Sequence, residues 1–180
     1  DARVAGYGPG RFSFNAAGGR CERCAGAGIR ALDLSLLPEI TTVCEACAGK
    51  RFNEATLKVR YRGYSIADVL ALSVDEALAA FDRHPGIRRG LEALHRVGLG
   101  YMPLGQTATS LSGGEAHRVK LARELGRPHR ARSLYLLDAP TAGLHPDDAV
   151  RLLSVLQDLV DGGGSVVMTT HRLGTLGEAD

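Results

Sequence analysis

The chain has 180 residues, of which 44% are hydrophobic and 23% are charged, and its formal net charge is +2. This composition predicts one globular domain, or one domain with an insertion, with enough apolar side chains for a core. No apolar run in the chain approaches the roughly 18 residues that a membrane-spanning helix requires. The small net charge neither demands nor excludes a polyanionic partner.

The first region, residues 1–64, is rich in glycine, arginine and cysteine. Short apolar runs at Ile29–Leu37 and Leu57–Tyr61 predict strands between turns. Five basic residues against one acidic residue lie from Lys50 to Arg62. Such a cluster is most often a solvated surface, but it also suits a polyanionic partner.

All four cysteines of the chain fall in this region, in two Cys-x-x-Cys pairs separated by nineteen residues: Cys21, Cys24, Cys44 and Cys47. Four thiolates at this spacing can close a tetrahedral zinc site, and glycines after each pair permit the tight turns that it needs. A closed site has a structural role, here to stabilise a hairpin from Ile29 to Val43. A redox dithiol and an iron–sulfur site are the alternatives. Because the sequence shows no secretory signal, we expect a reducing cytoplasmic location, in which metal ligation is favoured over a disulfide framework.

The second region, residues 65–110, has helical periodicity. Ser65 and Ser73 are predicted N-caps of two short helices. After Pro85-Gly86, apolar residues recur at helical spacing from Ile87 to Val97, which predicts a third helix.

The third region, residues 111–180, alternates helices and apolar strands. We predict a helix from about Gly113 to Gly126, a strand at Leu134–Leu137, a helix from Pro146 to Val160 and a strand at Ser165–Thr170. Because the strands are continuously apolar and a helix separates them, they are expected to be buried and to pair in parallel.

Four features of this third region suit a nucleotide site. Ser112, Gly113 and Gly114 open a helix whose free amides could cradle a phosphate, and Asp138 ends a strand where a carboxylate could hold magnesium. A tight loop, residues 141–145, follows, and His171 closes the next strand, where an imidazole could reach a γ-phosphate. Each feature alone has an ordinary structural explanation, such as a helix cap or a turn aspartate; the order and spacing of all four favour the nucleotide site.

This series resembles the signature, Walker B, D-loop and H-loop motifs of ABC-type ATPases: Leu-Ser-Gly-Gly-Glu at 111–115, Leu-Tyr-Leu-Leu-Asp at 134–138, and His171 about 33 residues later. Further motifs narrow the resemblance. They are the Cys-x-x-Cys pairs, Arg-Phe-Ser-Phe-Asn at 11–15, Gly-Arg-Cys-Glu at 19–22 and Val-Gly-Leu-Gly-Tyr at 97–101. Together they resemble the C-terminal ATPase half of the UvrA family, the damage-recognition subunits of bacterial nucleotide excision repair.

The resemblance implies an α/β fold: part of an ABC-type ATPase domain with a zinc-binding β-hairpin module at 1–64, a helical signature subdomain at 65–110 and part of the ATPase core at 111–180. It implies zinc, and ATP with magnesium, as cofactors. Ser112, Gly113, Gly114 and Glu115 would face a nucleotide bound by an opposing ATPase module. Asp138 would serve the magnesium of the module's own nucleotide and His171 its γ-phosphate.

The implied partners are damaged or distorted double-stranded DNA, a second ATPase module in a homodimer and a UvrB-type repair subunit, with no membrane. Damage would be sensed through the deformability of the duplex. The candidates for phosphate contacts are Arg11, Lys50 and Arg51, which would position the duplex without reading its sequence.

Two departures from the family pattern affect the expected activity. No Gly-x-x-x-x-Gly-Lys-Ser/Thr loop occurs in the chain, and we expect it upstream, in a longer protein of which this chain is a piece. Ala139 occupies the position where ABC-type ATPases carry a catalytic glutamate. We expect this chain to be inactive alone, with magnesium binding through Asp138 retained and water activation lost.

Three explanations of Ala139 remain open: an engineered trap, a natural homologue with a degenerate site, or substitution by another residue, for which His145 and His171 are the nearest candidates. Two other functions also remain open. One is an ABC-type regulatory or resistance protein outside DNA repair, and the other is a catalytically silent module whose stable part is the zinc domain.

Overall fold

The computed structural model describes residues 2–32, 40–126 and 133–170. The chain divides into two compact units, residues 1–71 and 72–180. The division into three regions that the sequence suggests stays a prediction. Within the described residues, no helix is both long enough and apolar enough to cross a bilayer.

The first unit has little regular structure. A 3₁₀ turn at Pro9–Phe12 is followed by the strands β1 (Ile29–Leu32) and β2 (Ile40–Val43), which pair antiparallel with Ile29 opposite Val43. Two short helices follow, α1 (Glu54–Leu57) and α2 (Ile66–Ala71). The hairpin predicted at 29–43 is therefore present, although residues 33–39 lie outside the described part.

The prediction of a strand at Leu57–Tyr61 is wrong. Asn53 accepts a hydrogen bond from the amide of Thr56 and so caps α1, which runs to Leu57. Tyr61 lies in an isolated antiparallel bridge with Tyr64 and not in a strand. A local side-chain cap has outweighed the β-propensity of the apolar run.

The second unit begins with two helices that the sequence predicted. Helix α3 (Val74–Ala80) starts at the cap Ser73, and α4 (Pro85–Arg96) starts at a proline, whose missing amide hydrogen costs nothing at this position. A 3₁₀ turn at Ala108–Ser110 leads into helix α5 (Gly113–Leu125).

The rest of the second unit is a strand–helix–strand arrangement. Strand β3 (Leu134–Leu137) pairs in parallel with β4 (Ser165–Met168), and α6 (Pro146–Asp161) connects them. The predicted α/β class and parallel pairing are confirmed. One core joins α4, α5 and α6; its most buried members include Val97, Leu99, Leu152 and Leu159.

The expectation that both faces of the strands would be buried is wrong for the described chain. Tyr135 and Leu137 pack against the core, whereas Leu134 and Leu136 on the opposite face are 61% and 72% exposed. Successive side chains of a strand point to opposite faces, and only one face of β3 meets α6 and its neighbours.

Candidate metal centre and nucleotide site

The four cysteines form one cluster. Their sulfur atoms all lie within 4.8 Å of one another, and all four side chains are buried. The Cys21 and Cys44 sulfurs are 4.0 Å apart, and those of Cys24 and Cys47 are 3.8 Å apart. Four ligands at about 2.3 Å from one zinc ion would be separated by about 3.8 Å, whereas a disulfide requires about 2.05 Å. The donor set and its spacing therefore fit a tetrahedral zinc ion.

Each Cys-x-x-Cys pair belongs to the same hexapeptide, Cys-Glu-x-Cys-Ala-Gly, at residues 21–26 and 44–49. In both copies the alanine and the glycine have positive φ, at Ala25 and Gly26 (48° and 84°) and at Ala48 and Gly49 (48° and 78°). This left-handed pair turns the chain sharply after the second cysteine. The glycines predicted to permit tight turns are thus at positions that need them.

The pKa values of the Cys44 and Cys47 thiols are shifted in opposite directions. Burial raises the pKa of the Cys47 thiol to about 12. Burial also acts to raise the pKa of Cys44, but hydrogen bonds from the backbone amides of Cys47 and Ala46 outweigh it and lower that pKa to about 7. Four thiolates at neutral pH would need a compensating cation, which a metal ion supplies.

The two arginines predicted to contact DNA form interactions within the first unit. Arg51 donates from Nε to the carbonyl of Gly26 at 2.9 Å, and its guanidinium lies 4.4 Å from the centre of the Phe14 ring. Arg11 donates to the hydroxyl of Thr56 at 3.1 Å and also stacks on an aromatic ring. Both side chains are half-buried, whereas Lys50 is exposed.

The amino end of α5 carries the residues predicted to face a nucleotide. Ser112 accepts a hydrogen bond from the amide of Glu115, and the Glu115 carboxylate accepts from the Ser112 amide and hydroxyl at 2.8 and 3.0 Å. Tyr101 donates to the other carboxylate oxygen at 2.6 Å. Among the described residues, no group accepts a hydrogen bond from the amides of Gly113 and Gly114.

Asp138 directly follows β3 and is held by a residue that follows β4. The Thr169 hydroxyl donates to Asp138 Oδ1 at 2.6 Å and accepts from the amide of Ala139 at 2.9 Å. Ala139 has a φ of +41°, in the left-handed region. The carboxylate that is predicted to hold magnesium is therefore fixed in a defined orientation.

The loop after Asp138 passes close to the start of α5. A Cβ atom added at Gly114 would lie 3.8 Å from the carbonyl oxygen of Ala142. His145 caps α6 by accepting from the amide of Asp147 at 3.4 Å, so it has a structural role here. His171 lies outside the described residues, and its predicted role remains a prediction.

Sequence reasoning missed three side chains. Tyr101 and Thr169 have the contacts described above, and Arg118 is buried in α5 and donates to the carbonyl of Gly98 at 3.0 Å. Thr169 could have been found, because the carboxyl ends of parallel strands meet at one edge of a sheet and a hydroxyl there can reach Asp138. Tyr101 and Arg118 have no comparable signal, since their partners depend on how α4 and α5 pack.

No family profile matches the chain. It is 54% identical over all 180 residues to UvrABC system protein A of Aquifex aeolicus and 55% identical to that of Thermus thermophilus. Each match covers 100% of this chain and 19% of the relative.

A solved structure, UvrA2 from Deinococcus radiodurans, has a TM-score of 0.93 and 50% identity, covering 98% of this chain and 22% of that one. The chain spans about a fifth of the length of the curated relatives that it matches. Over that segment, with the cysteine cluster and the Leu-Ser-Gly-Gly-Glu and Asp138 motifs in place, the chain belongs to the UvrA family.

Proposed function

We propose that this chain is the zinc-binding and ATPase-signature part of a DNA-damage recognition protein of nucleotide excision repair. The observation that carries the proposal is the 54% identity with UvrABC system protein A along the whole chain. The ABC-type regulatory or resistance function is not favoured, because the likeness includes the first unit with its cysteine cluster. A cytoplasmic location accords with this role and with reduced thiols.

In this proposal Cys21, Cys24, Cys44 and Cys47 bind zinc. The sulfur–sulfur distances support it, as does the amide of Gly28, which donates to the Cys24 sulfur at 3.2 Å and would stabilise a thiolate ligand. With four protein ligands the ion has no open position, so its contribution is structural.

In the second unit, the proposal assigns nucleotide contacts to the amino end of α5 and to the residues that follow β3 and β4. The free amides of Gly113 and Gly114, at the positive end of α5, would donate to a phosphate of a nucleotide held by an opposing ATPase module. Ser112 would need to turn its hydroxyl away from Glu115 to join them. Asp138 would hold magnesium, and His171 would contact the γ-phosphate.

The missing carboxylate at position 139 defines the expected activity. The methyl group of Ala139 can neither accept a proton nor orient a water molecule. We therefore expect bound magnesium–nucleotide with slow hydrolysis. The homodimer, the second ATPase module and a UvrB-type subunit are proposed as the partners that read the nucleotide state.

Lys50 is the strongest of the three candidates for a DNA phosphate contact, because it is exposed and directly follows the second cysteine hexapeptide. Arg11 and Arg51 would contact DNA only with the part of the guanidinium that their internal hydrogen bonds leave available. Their contacts also support the first unit, so their replacement would affect stability as well as binding.

The test of the proposed function is DNA binding by the zinc-loaded protein, measured by fluorescence anisotropy over a range of salt concentrations. We expect tighter binding to a duplex with one bulky adduct than to the same duplex without it. Lys50→Ala should weaken binding to both duplexes. It should also reduce the salt slope, the steepness with which log affinity falls with log salt concentration, by about 1. Arg89→Ala, an exposed arginine of α4, is the control. Binding that is absent, or insensitive to salt, would refute the DNA role.

Ala139→Glu tests the assignment of the missing base. In a protein of the relatives' full length that carries a phosphate-binding loop, the glutamate should raise ATP hydrolysis by roughly 10²–10⁴-fold. The affinity for magnesium–nucleotide should stay the same, because Asp138 is unchanged. Hydrolysis that stays flat would show that the carboxylate at this position does not limit the rate.

A further inference from the structure

The two-residue turn at Arg62-Gly63 is exposed and is flanked in the chain by two exposed tyrosines. Tyr61 and Tyr64 exchange backbone hydrogen bonds of 2.8 and 2.9 Å, which closes a hairpin with Arg62 and Gly63 at its tip. Residues paired across a hairpin present their side chains on the same face. The two tyrosines are 40% and 38% exposed.

Arg62 adopts a backbone conformation that is unusual for its type. Its φ is +48° and that of Gly63 is +88°, the pattern of a type I′ turn, in which asparagine or glycine normally occupies the first central position. A backbone outlier at an exposed turn motivates a functional hypothesis for its side chain, which the neighbouring residues must then support. The side chain is exposed, and its guanidinium lies 5.6 Å from the centre of the Tyr61 ring.

The base of this turn is braced by a network of hydrogen bonds. Arg60 donates from Nη1 to the carbonyl of Gly63 at 2.7 Å and to Asp68 Oδ2 at 3.1 Å. Asp68 in turn accepts from the amide and the hydroxyl of Ser65, both at 2.8 Å. These hydrogen bonds restrain the turn, which reduces the entropy that a contact would cost.

We propose that this aromatic–basic tip, residues 61–64, binds nucleic acid: Arg62 contacts a phosphate, and Tyr61 and Tyr64 stack on bases that are unstacked where a duplex is distorted. Tyrosine rings stack on any base, and a neighbouring cation attracts the backbone. This inference rests on the proposed function, because it names the surface that would give a damage-recognition protein its preference for distorted DNA.

The test separates the charge of the tip from its rings. DNA binding is measured by anisotropy with a duplex that carries a short unpaired bulge and with the fully paired duplex. Arg62→Asn keeps the left-handed turn, because asparagine tolerates positive φ, and it removes the charge. It should weaken binding to both duplexes and lower the salt slope by about 1, whereas Arg62→Lys should retain most of both.

The double substitution Tyr61→Ala with Tyr64→Ala should weaken binding to the bulged duplex by at least about tenfold. It should leave the salt slope unchanged and have a smaller effect on the paired duplex. Tyr61→Phe with Tyr64→Phe retains the rings and should bind like the parent. Arg89→Asn on α4 is the matched control for charge, and zinc content is measured for every variant to verify folding.

If the parent binds DNA and loses affinity on Lys50→Ala, but all tip variants bind like the parent, the tip does not contact DNA and the inference fails alone. If the parent binds no DNA, the proposed function and the inference fail together. If the alanine and phenylalanine variants lose affinity equally, the rings are not stacking, and that part of the inference is wrong.

Discussion

Ala139 has a left-handed backbone, and its amide is held by the hydroxyl of Thr169, which also donates to Asp138. One threonine thus fixes both the predicted magnesium ligand and the position where a catalytic glutamate would stand. A left-handed alanine costs roughly 1–2 kcal/mol relative to the right-handed conformation. The hydrogen bonds to Thr169 offset part of that cost and orient the Asp138 carboxylate without a glutamate at position 139.

Thr169→Val is expected to lower the free energy of unfolding by about 1 kcal/mol, because two hydrogen bonds are lost at an exposed site with little change in volume. Thr169→Ser keeps the hydroxyl and should lose less. Denaturant unfolding of the two variants beside the parent measures the difference. A valine variant as stable as the parent would mean that Thr169 does not hold this turn.

At the scale of elements, α3 and α5 begin with the same capping box. Ser73 and Glu76 exchange hydrogen bonds as Ser112 and Glu115 do. The difference is Tyr101, which donates to Glu115. The hydrogen bond from Tyr101, followed by those from Ser112, lowers the pKa of Glu115, whereas Ser73 alone accounts for the lowered pKa of Glu76. The amino end of α5 is therefore fastened to the segment after α4.

Tyr101→Phe should raise the pKa of Glu115 toward its ordinary value of about 4.3 and leave that of Glu76 unchanged. A carboxylate whose pKa is lowered by folding stabilises the native state above its unfolded pKa, and this contribution is lost as the pH falls through the folded pKa. Acid should thus weaken the α5 cap at a higher pH in the variant. Carboxyl NMR titration checks both residues, and an equal shift of Glu76 would contradict a local effect.

At the scale of the whole molecule, the two units differ in what stabilises them. The buried apolar cluster of α4, α5 and α6 lies wholly in the second unit. In the described part of the first unit, the buried hydrophobic residues are the four cysteines and Phe52. So small an apolar core rarely suffices for stability, and the metal would supply the remainder. An isolated hairpin such as β1–β2 is itself marginal in water.

Removal of the metal with a chelator should unfold the first unit selectively. Hydrogen exchange measured by mass spectrometry should show loss of protection at β1 and β2, with α4, α5 and α6 still protected. Cys24→Ser should reproduce the effect without a chelator. Protection lost uniformly through both units, or nowhere, would contradict this division of stability.

Much of the candidate site could be predicted from sequence, because its parts follow local rules. The two Cys-x-x-Cys pairs, the caps Ser73 and Ser112, and the strand that ends at Asp138 depend on residues within a few positions of one another. The failed strand at Leu57–Tyr61 was also local: the cap at Asn53 was a signal in the sequence that the apolar run obscured.

Only the tertiary structure determines the contacts between residues that are far apart in the chain. Thr169 reaches Asp138 because β3 and β4 pair in parallel, and Tyr101 reaches Glu115 because α4 packs near α5. The hydrogen bond from Arg51 to the carbonyl of Gly26 also joins residues far apart in the chain. Spacing and capping act over one or two turns of chain and are written in neighbouring residues. The partners of exposed and half-buried polar groups depend instead on how separate elements pack, which no local pattern encodes.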